Sequence, residues 1–193
     1  MQSLPSRRKI IWPDKTVYFL TSSTFLHYPY FKTSEQKQIV LNQIKLINKS
    51  LDIPILAFSI SINHFHLKFY LRQGNLMTKV KNLIHSGISR EHRRIYASRF
   101  PQFWHSSRVL RAENEEMSWK VTGYIIGNLL KHRELSTFEE LKNCPFSSYC
   151  QTVQRFGEEI AMNAVHGVIN VPENAEGVVN LEGLSACAIK PPA

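Results

Sequence analysis

The chain has 193 residues, 43% of them hydrophobic, and carries 24 Lys and Arg against 15 Asp and Glu, a formal net charge of +9. That is enough apolar material for one packed domain, which excludes a wholly disordered chain and a cysteine-stapled peptide. Three cysteines suit a reducing compartment, no apolar run reaches the roughly 18 residues of a membrane span, and Ser6–Pro13 is too short an apolar stretch for a signal peptide, so a cytoplasmic protein is expected. The charge is uneven: residues 1–150 carry a net +12 and residues 151–193 a net −3. Between Lys68 and Arg111 ten basic residues face only Glu91, a pattern that fits a phosphate-tracking surface as well as an ordinary solvated one.

In chain order, Thr16–Thr21 is β-branched and aromatic and predicts a strand. Thr33 with Gln36 forms a capping-box pattern, and Val40, Ile44, Ile47 and Leu51 lie on one stripe, predicting a helix to Leu51. Pro54 opens a second strand with Leu56, Phe58 and Ile60 on one face, and a tight turn is expected at 61–63. In the third strand, His64 to Leu71, Phe65, Leu67, Phe69 and Leu71 alternate with His64, His66, Lys68 and Tyr70, so one face is apolar and the other polar. A basic helix is expected from about 75 to 96, with Leu76, Val80, Leu83 and Ile84 inward, then an edge strand over 104–110. Asn114 reads as the N-cap of a helix to about His132, with Glu115 and Glu116 favourably placed at its start. Residues 151–165 predict one more helix, followed by a loosely ordered tail. The order β, α, β, β, α, β, α implies an α+β chain: a ferredoxin-like antiparallel sheet with helices on one face, the other face open and bearing His64 and His66, plus a C-terminal extension.

Two features carry chemistry. His64 and His66 are one residue apart on a strand, so both imidazoles project from one face with Cα atoms about 6–7 Å apart, a spacing that suits two ligands on one divalent ion and also fits two exposed strand histidines. Tyr124 and Asn128 are four apart on the last long helix and share a face. From periodicity alone Tyr124 reads as a core tyrosine. Gly123 and Gly127 beside it mark either a close backbone approach or a weak helix end. Arg108 and Arg111 are phosphate-contact candidates, Trp104 is a stacking or a packing residue, and Tyr70 shares the face of the histidine pair. The remaining histidines show no ligand spacing, and Cys144, Cys150 and Cys187 lack that of a zinc site.

The run Ile62-Asn63-His64-Phe65-His66-Leu67, with Lys81–Ser89, Phe103-Trp104, Tyr124-Ile125-x-x-Asn128 and Pro145–Tyr149 in that order, resembles the single-tyrosine HUH transposases, above all the REP-associated tyrosine transposases and their insertion-sequence relatives. The resemblance spans residues 8–150 and leaves 151–193 as an acidic extension. Ile62 and Leu129 stand where the family often has proline. The resemblance implies that His64, His66 and Asn128 bind Mg²⁺ or Mn²⁺. It also implies that Tyr124 attacks single-stranded or hairpin DNA to give a 5′-phosphotyrosine and a free 3′-OH, and that the strand is later rejoined. The DNA-binding surface would include Lys79, Lys81, Arg90, Arg93, Arg94, Arg108 and Arg111. A cytoplasmic, nucleoid-associated protein is implied, acting as a monomer or as a homodimer with shared sites. Competing readings are a non-catalytic single-stranded nucleic-acid-binding module on the same sheet, a metal hydrolase using the two histidines with water, and a domesticated transposase.

Overall fold

The computed structural model describes residues 10–97 and 101–172; Arg99 and the tail beyond 172 lie outside the described residues. The chain is α+β, built on one four-stranded antiparallel sheet: β1 (Thr16–Thr24), β2 (Ile55–Ile60), β3 (His64–Leu71) and β4 (Trp104–Arg111), in the order β2-β3-β1-β4. Helix α1 (Ser34–Leu51) joins β1 to β2, and α2 (Met77–Tyr96) joins β3 to β4. Each of these pairs has one strand inserted between its members, the ferredoxin-like arrangement that the order of elements predicts.

The capping box at the start of α1 is present in both directions, Thr33 Oγ1 accepting from Gln36 N and Gln36 Oε1 accepting from Thr33 N. Ile39, Val40, Ile44 and Ile47 of α1 and Met77, Val80, Ile84 and Ile88 of α2 bury against Phe65, Leu67, Phe69 and Leu71. Burying each such side chain contributes about 1.5–3 kcal/mol. In β2 the register with β3 shifts between Ile55 and Ala57, so Leu56 is bulged out and exposed, and Ile55 takes the core-facing place expected for it. The free edge of β2 is covered by the segment after α4 (Phe138–Asn143): Ile60 N donates to Phe146 O, and Ser148 N donates to Phe58 O, both at 2.9 Å.

The sheet face expected to be open is closed. Helix α3 (Glu115–Lys131) lies across it, and every residue from Trp119 to Leu129 is buried. A helix buried on all sides needs two partners. One side of α3 meets Phe19 and Ala57 of the sheet, and the other meets α6 (Glu158–His166). The two glycines permit the second contact: a Cβ on Gly123 would stand 2.1 Å from Ala164 O, and one on Gly127 would stand 2.5 Å from Val165 Cγ1. Where one helix is expected over 151–165 there are two, α5 (Tyr149–Phe156) and α6, because Gly157 breaks the run with φ +91°. No helix among the described residues is long and apolar enough to cross a membrane.

Candidate active site

Residues directly opposite in an antiparallel ladder share a face, so the pairings define rows across the α3 side of the sheet. One row runs Ser59, His66, Thr21, Arg108 from β2 to β4. The next row toward the open end of β3 holds His64, Ser23 and Ser106, with the two serine hydroxyls hydrogen-bonded at 2.9 Å. On the other side lies Lys68, whose ammonium donates to Ser118 O at 2.6 Å and Thr122 Oγ1 at 2.7 Å; burial lowers its pKa to about 8.

His66 is fully buried, and burial, followed by the fields of His64 and His132, holds its imidazole neutral with a pKa well below the ordinary range. Its Nδ1 shares a 2.9 Å hydrogen bond with Thr21 Oγ1. When Nδ1–H is the donor there, Nε2 keeps its lone pair and faces the Tyr124 hydroxyl at 3.5 Å. His64 is fixed in the same sense. Its Nδ1–H donates to Asn63 Oδ1 at 2.8 Å, while Asn63 Nδ2 donates to His27 O at 3.1 Å, which settles the Asn63 amide orientation. The strand starts at His64, leaving Asn63 free to reach the ring beside it and act as a support for its neighbour.

The other ring nitrogen, His64 Nε2, lies 3.1 Å from Asn128 Oδ1. With His64 neutral this sets two acceptors face to face, and only a proton on Nε2 or a cation nearby makes the contact favourable. Asn128 is fully buried, and its Nδ2 has no hydrogen-bond partner. Turning the amide over pairs Nδ2 with His64 but leaves Oδ1 orphaned instead. An orphaned buried polar atom costs about 1–3 kcal/mol, so this arrangement is a burden on the fold. Two imidazole lone pairs and an amide oxygen, with both rings braced through Nδ1, form a donor set that fits a divalent cation. Among the described residues no three His, Cys, Asp or Glu side chains form a metal cluster, so such a set depends on the amide.

Tyr124 is 2% exposed. Its ring stands edge-on to His66 and Phe19, with centroids 5.1 and 6.3 Å apart, and Lys131 Nζ sits 5.9 Å from its centre. Lys131 also donates to Ile169 O at 3.0 Å and to Val171 O, tying the chain after α6 to the end of α3. The phenol is thus shielded from solvent between α3 and the sheet.

Two residues here were not singled out by sequence reasoning. His132, read as ordinary, packs edge-on against His64 with centroids 4.7 Å apart; its place four residues after Asn128 on the same helix face was the available signal. Glu134 accepts from Lys37 Nζ at 2.6 Å, from Ile62 N at 3.0 Å and from Ser61 Oγ, clamping the turn before His64 to α1 and to the end of α3. Burial alone would push its carboxyl up, but the hydrogen bonds from Lys37 and Ser61 outweigh it and hold the pKa below the usual value. No motif announces this contact between residues far apart in the chain.

The expected DNA-binding residues divide between the faces. Arg108 lies in the row of His66. Arg111 pairs with Tyr18 and so takes the opposite face. Lys79, Lys81, Arg90, Arg93 and Arg94 lie on α2, across the sheet from the histidines, with Arg94 in an exposed ion pair with Glu91. Trp104 packs: its Nε1 donates to His85 O at 3.1 Å and its ring lies against Phe65 and Phe103.

No family model and no curated protein matches the chain. Among solved structures, a REP-associated tyrosine transposase bound to a REP hairpin superposes with a TM-score of 0.61 over 78% of this chain and 86% of the other, at 16% sequence identity. The chain has the fold of that transposase. A Deinococcus radiodurans chain described as a transposase overlaps less well, with a TM-score of 0.45, 14% identity, and coverage of 65% of this chain and 95% of that one.

Proposed function

We propose that this protein is a DNA strand transferase that cleaves and rejoins single-stranded or hairpin DNA through Tyr124. The observation that carries the reading is the convergence, on a transposase fold, of a phenol from α3 with two strand histidines and a helix amide: Tyr124 Oη at 3.5 Å from His66 Nε2, and Asn128 Oδ1 at 3.1 Å from His64 Nε2. On attack the phenol loses its proton, its oxygen bonds to phosphorus, and the bond to the 3′ oxygen breaks, leaving a 5′-phosphotyrosine and a 3′-OH. Reversal by another 3′-OH reseals a strand without external energy. His64 Nε2, His66 Nε2 and Asn128 Oδ1 would hold Mg²⁺ or Mn²⁺, which when bound polarises the scissile phosphate. Thr21 and Asn63 orient the two rings, Glu134 anchors the turn that carries His64, and Arg108 offers a cation in the same row. The hairpin on the structural neighbour supports a DNA partner for this chain as well, and with it a place at the nucleoid.

The test is a denaturation-stable protein–DNA adduct formed with Mn²⁺ and hairpin single strands. Wild type is expected to form it, Tyr124→Phe to abolish it, and His64→Ala to reduce it about 100-fold or more. An adduct that survives Tyr124→Phe overturns the nucleophile. The deep burial of Tyr124 favours a second reading, a non-catalytic binding protein on the same fold, which predicts hairpin binding with no adduct. Tyr124 Oη stands 3.5 Å from His66 Nε2 of the same chain, so one chain suffices to assemble the site and the reading takes a monomeric enzyme. Mixing Tyr124→Phe with His64→Ala chains is then expected to restore no activity.

A further inference from the structure

Beside the His66–Tyr124 pair, along the same seam between β3 and α3, a half-open cavity of about 450 Å³ lies between the sheet edge, the first half of α3 and α5. Its volume falls in the range of small-molecule sites. Lys68 forms its floor, and Thr122, Trp119, Gln151 and Arg155 line it, with Glu115 as its acidic member. We infer that this cavity is a nucleotide subsite, taking one nucleotide next to the scissile phosphate, with its phosphodiester on Lys68 and Arg155 and its base toward Gln151; the inference rests on the strand-transfer reading above.

Three observations carry it. Lys68 is buried, and its two hydrogen bonds go to neutral oxygens, Ser118 O and Thr122 Oγ1. An ammonium has three donors, and Lys68 makes no ion pair among the described residues. A buried cation is ordinarily paired with an anion, and among the described residues no carboxylate is in ion-pair contact with Lys68. The second observation is charge balance. Lys68 and Arg155 against Glu115 leave one net positive charge, which matches a singly charged phosphodiester better than a dianion. Arg155 is exposed at the rim, its guanidinium 5.0 Å from the centre of the Phe156 ring, a planar cation held ready for phosphate. The third is position. Lys68 follows His66 by two residues on one strand face, about 6–7 Å away, within the reach of an adjacent nucleotide of the same strand. Gln151, exposed at the start of α5, offers an amide for the edge of a base.

The experiment measures binding of a short oligothymidylate to the full chain by anisotropy, with inorganic phosphate as competitor, beside the adduct assay. Lys68→Met and Arg155→Ala are each expected to weaken oligonucleotide binding about tenfold, and phosphate to compete poorly. Arg155 is on the surface, so its variant reports even where Lys68→Met folds badly. Unchanged affinity in Arg155→Ala and in a folded Lys68→Met overturns the subsite, as does displacement by phosphate at equal concentration. An adduct lost in Tyr124→Phe alongside that unchanged affinity removes the subsite and leaves strand transfer standing. Weakened binding in both variants, with no adduct from wild type, supports the subsite and removes strand transfer.

Discussion

The two faces of the sheet are built on opposite rules. Under α1 and α2 the contact is almost wholly aliphatic and aromatic, with Leu67, Ile44, Val80 and Ile84 at or near zero exposure. Under α3 the buried set includes His66, Lys68, Asn128 and Ser59, and both Asn128 Nδ2 and Ser59 Oγ lack partners. Unpaired polar groups of this kind cost stability, and an apolar residue of similar shape would remove that cost. The first face holds the fold together, whereas the second gives up stability to keep a set of buried polar groups in place.

That contrast can be broken directly. Ile44→Ala is expected to cost about 2–5 kcal/mol in urea unfolding while leaving adduct formation per folded molecule unchanged. Asn128→Leu should hold or gain stability and lose adduct formation. Equal loss of both properties in the two variants would mean that the faces do not differ in role. The same comparison has a pH side on the first face. His85 shares a 2.7 Å hydrogen bond with Ser22, and burial, followed by the field of Lys81, lowers its pKa to about 4. The unfolded chain binds this proton near the ordinary 6.5 and the folded chain does not. Stability is therefore complete above about pH 6.5 and lost as pH falls toward 4, by at most about 3 kcal/mol. Denaturation midpoints between pH 7 and 4.5 check this, and His85→Gln should flatten the decline.

The smallest expected effect separates two glycines. At Gly123 an added methyl meets the backbone oxygen of Ala164, which cannot step aside, so Gly123→Ala should cost about 1–3 kcal/mol despite its better helix propensity. At Gly87 the obstacle is the flexible end of Gln43, so Gly87→Ala should fall within about 1 kcal/mol of wild type, measured by the same unfolding.

Much of the architecture was legible because it rests on local rules. The alternation from His64 to Leu71 matches β3 residue for residue, and Thr33 with Gln36 and Asn114 mark helix starts that the structure bears out. The likeness to the transposases rested on an ordered series of short motifs, and the fold agrees with it. What stayed hidden depends on partners far away in sequence. A half-polar strand reads as half-exposed unless something covers it, and the cover, α3, is recognisable only by its lack of charge from Val121 to Leu130, which can equally signal an ordinary core helix. The bulge at Leu56 adds one residue without any residue type that demands it. Glu134 acts through Lys37, Ser61 and Ile62, contacts that no spacing along the chain encodes, and His132 meets His64, which only its place four residues after Asn128 hints at.

The glycine contact between α3 and α6 has a mechanical consequence. Helices whose backbones interlock so closely, with Lys131 fastening the chain that follows, do not slide past one another independently. Any displacement of α3 from the sheet would therefore carry α6 with it as a single lever. The stiffness of that lever is set some forty residues downstream of Tyr124, at Ala164 and Val165, in a segment that has no part in the histidine pair or the phenol.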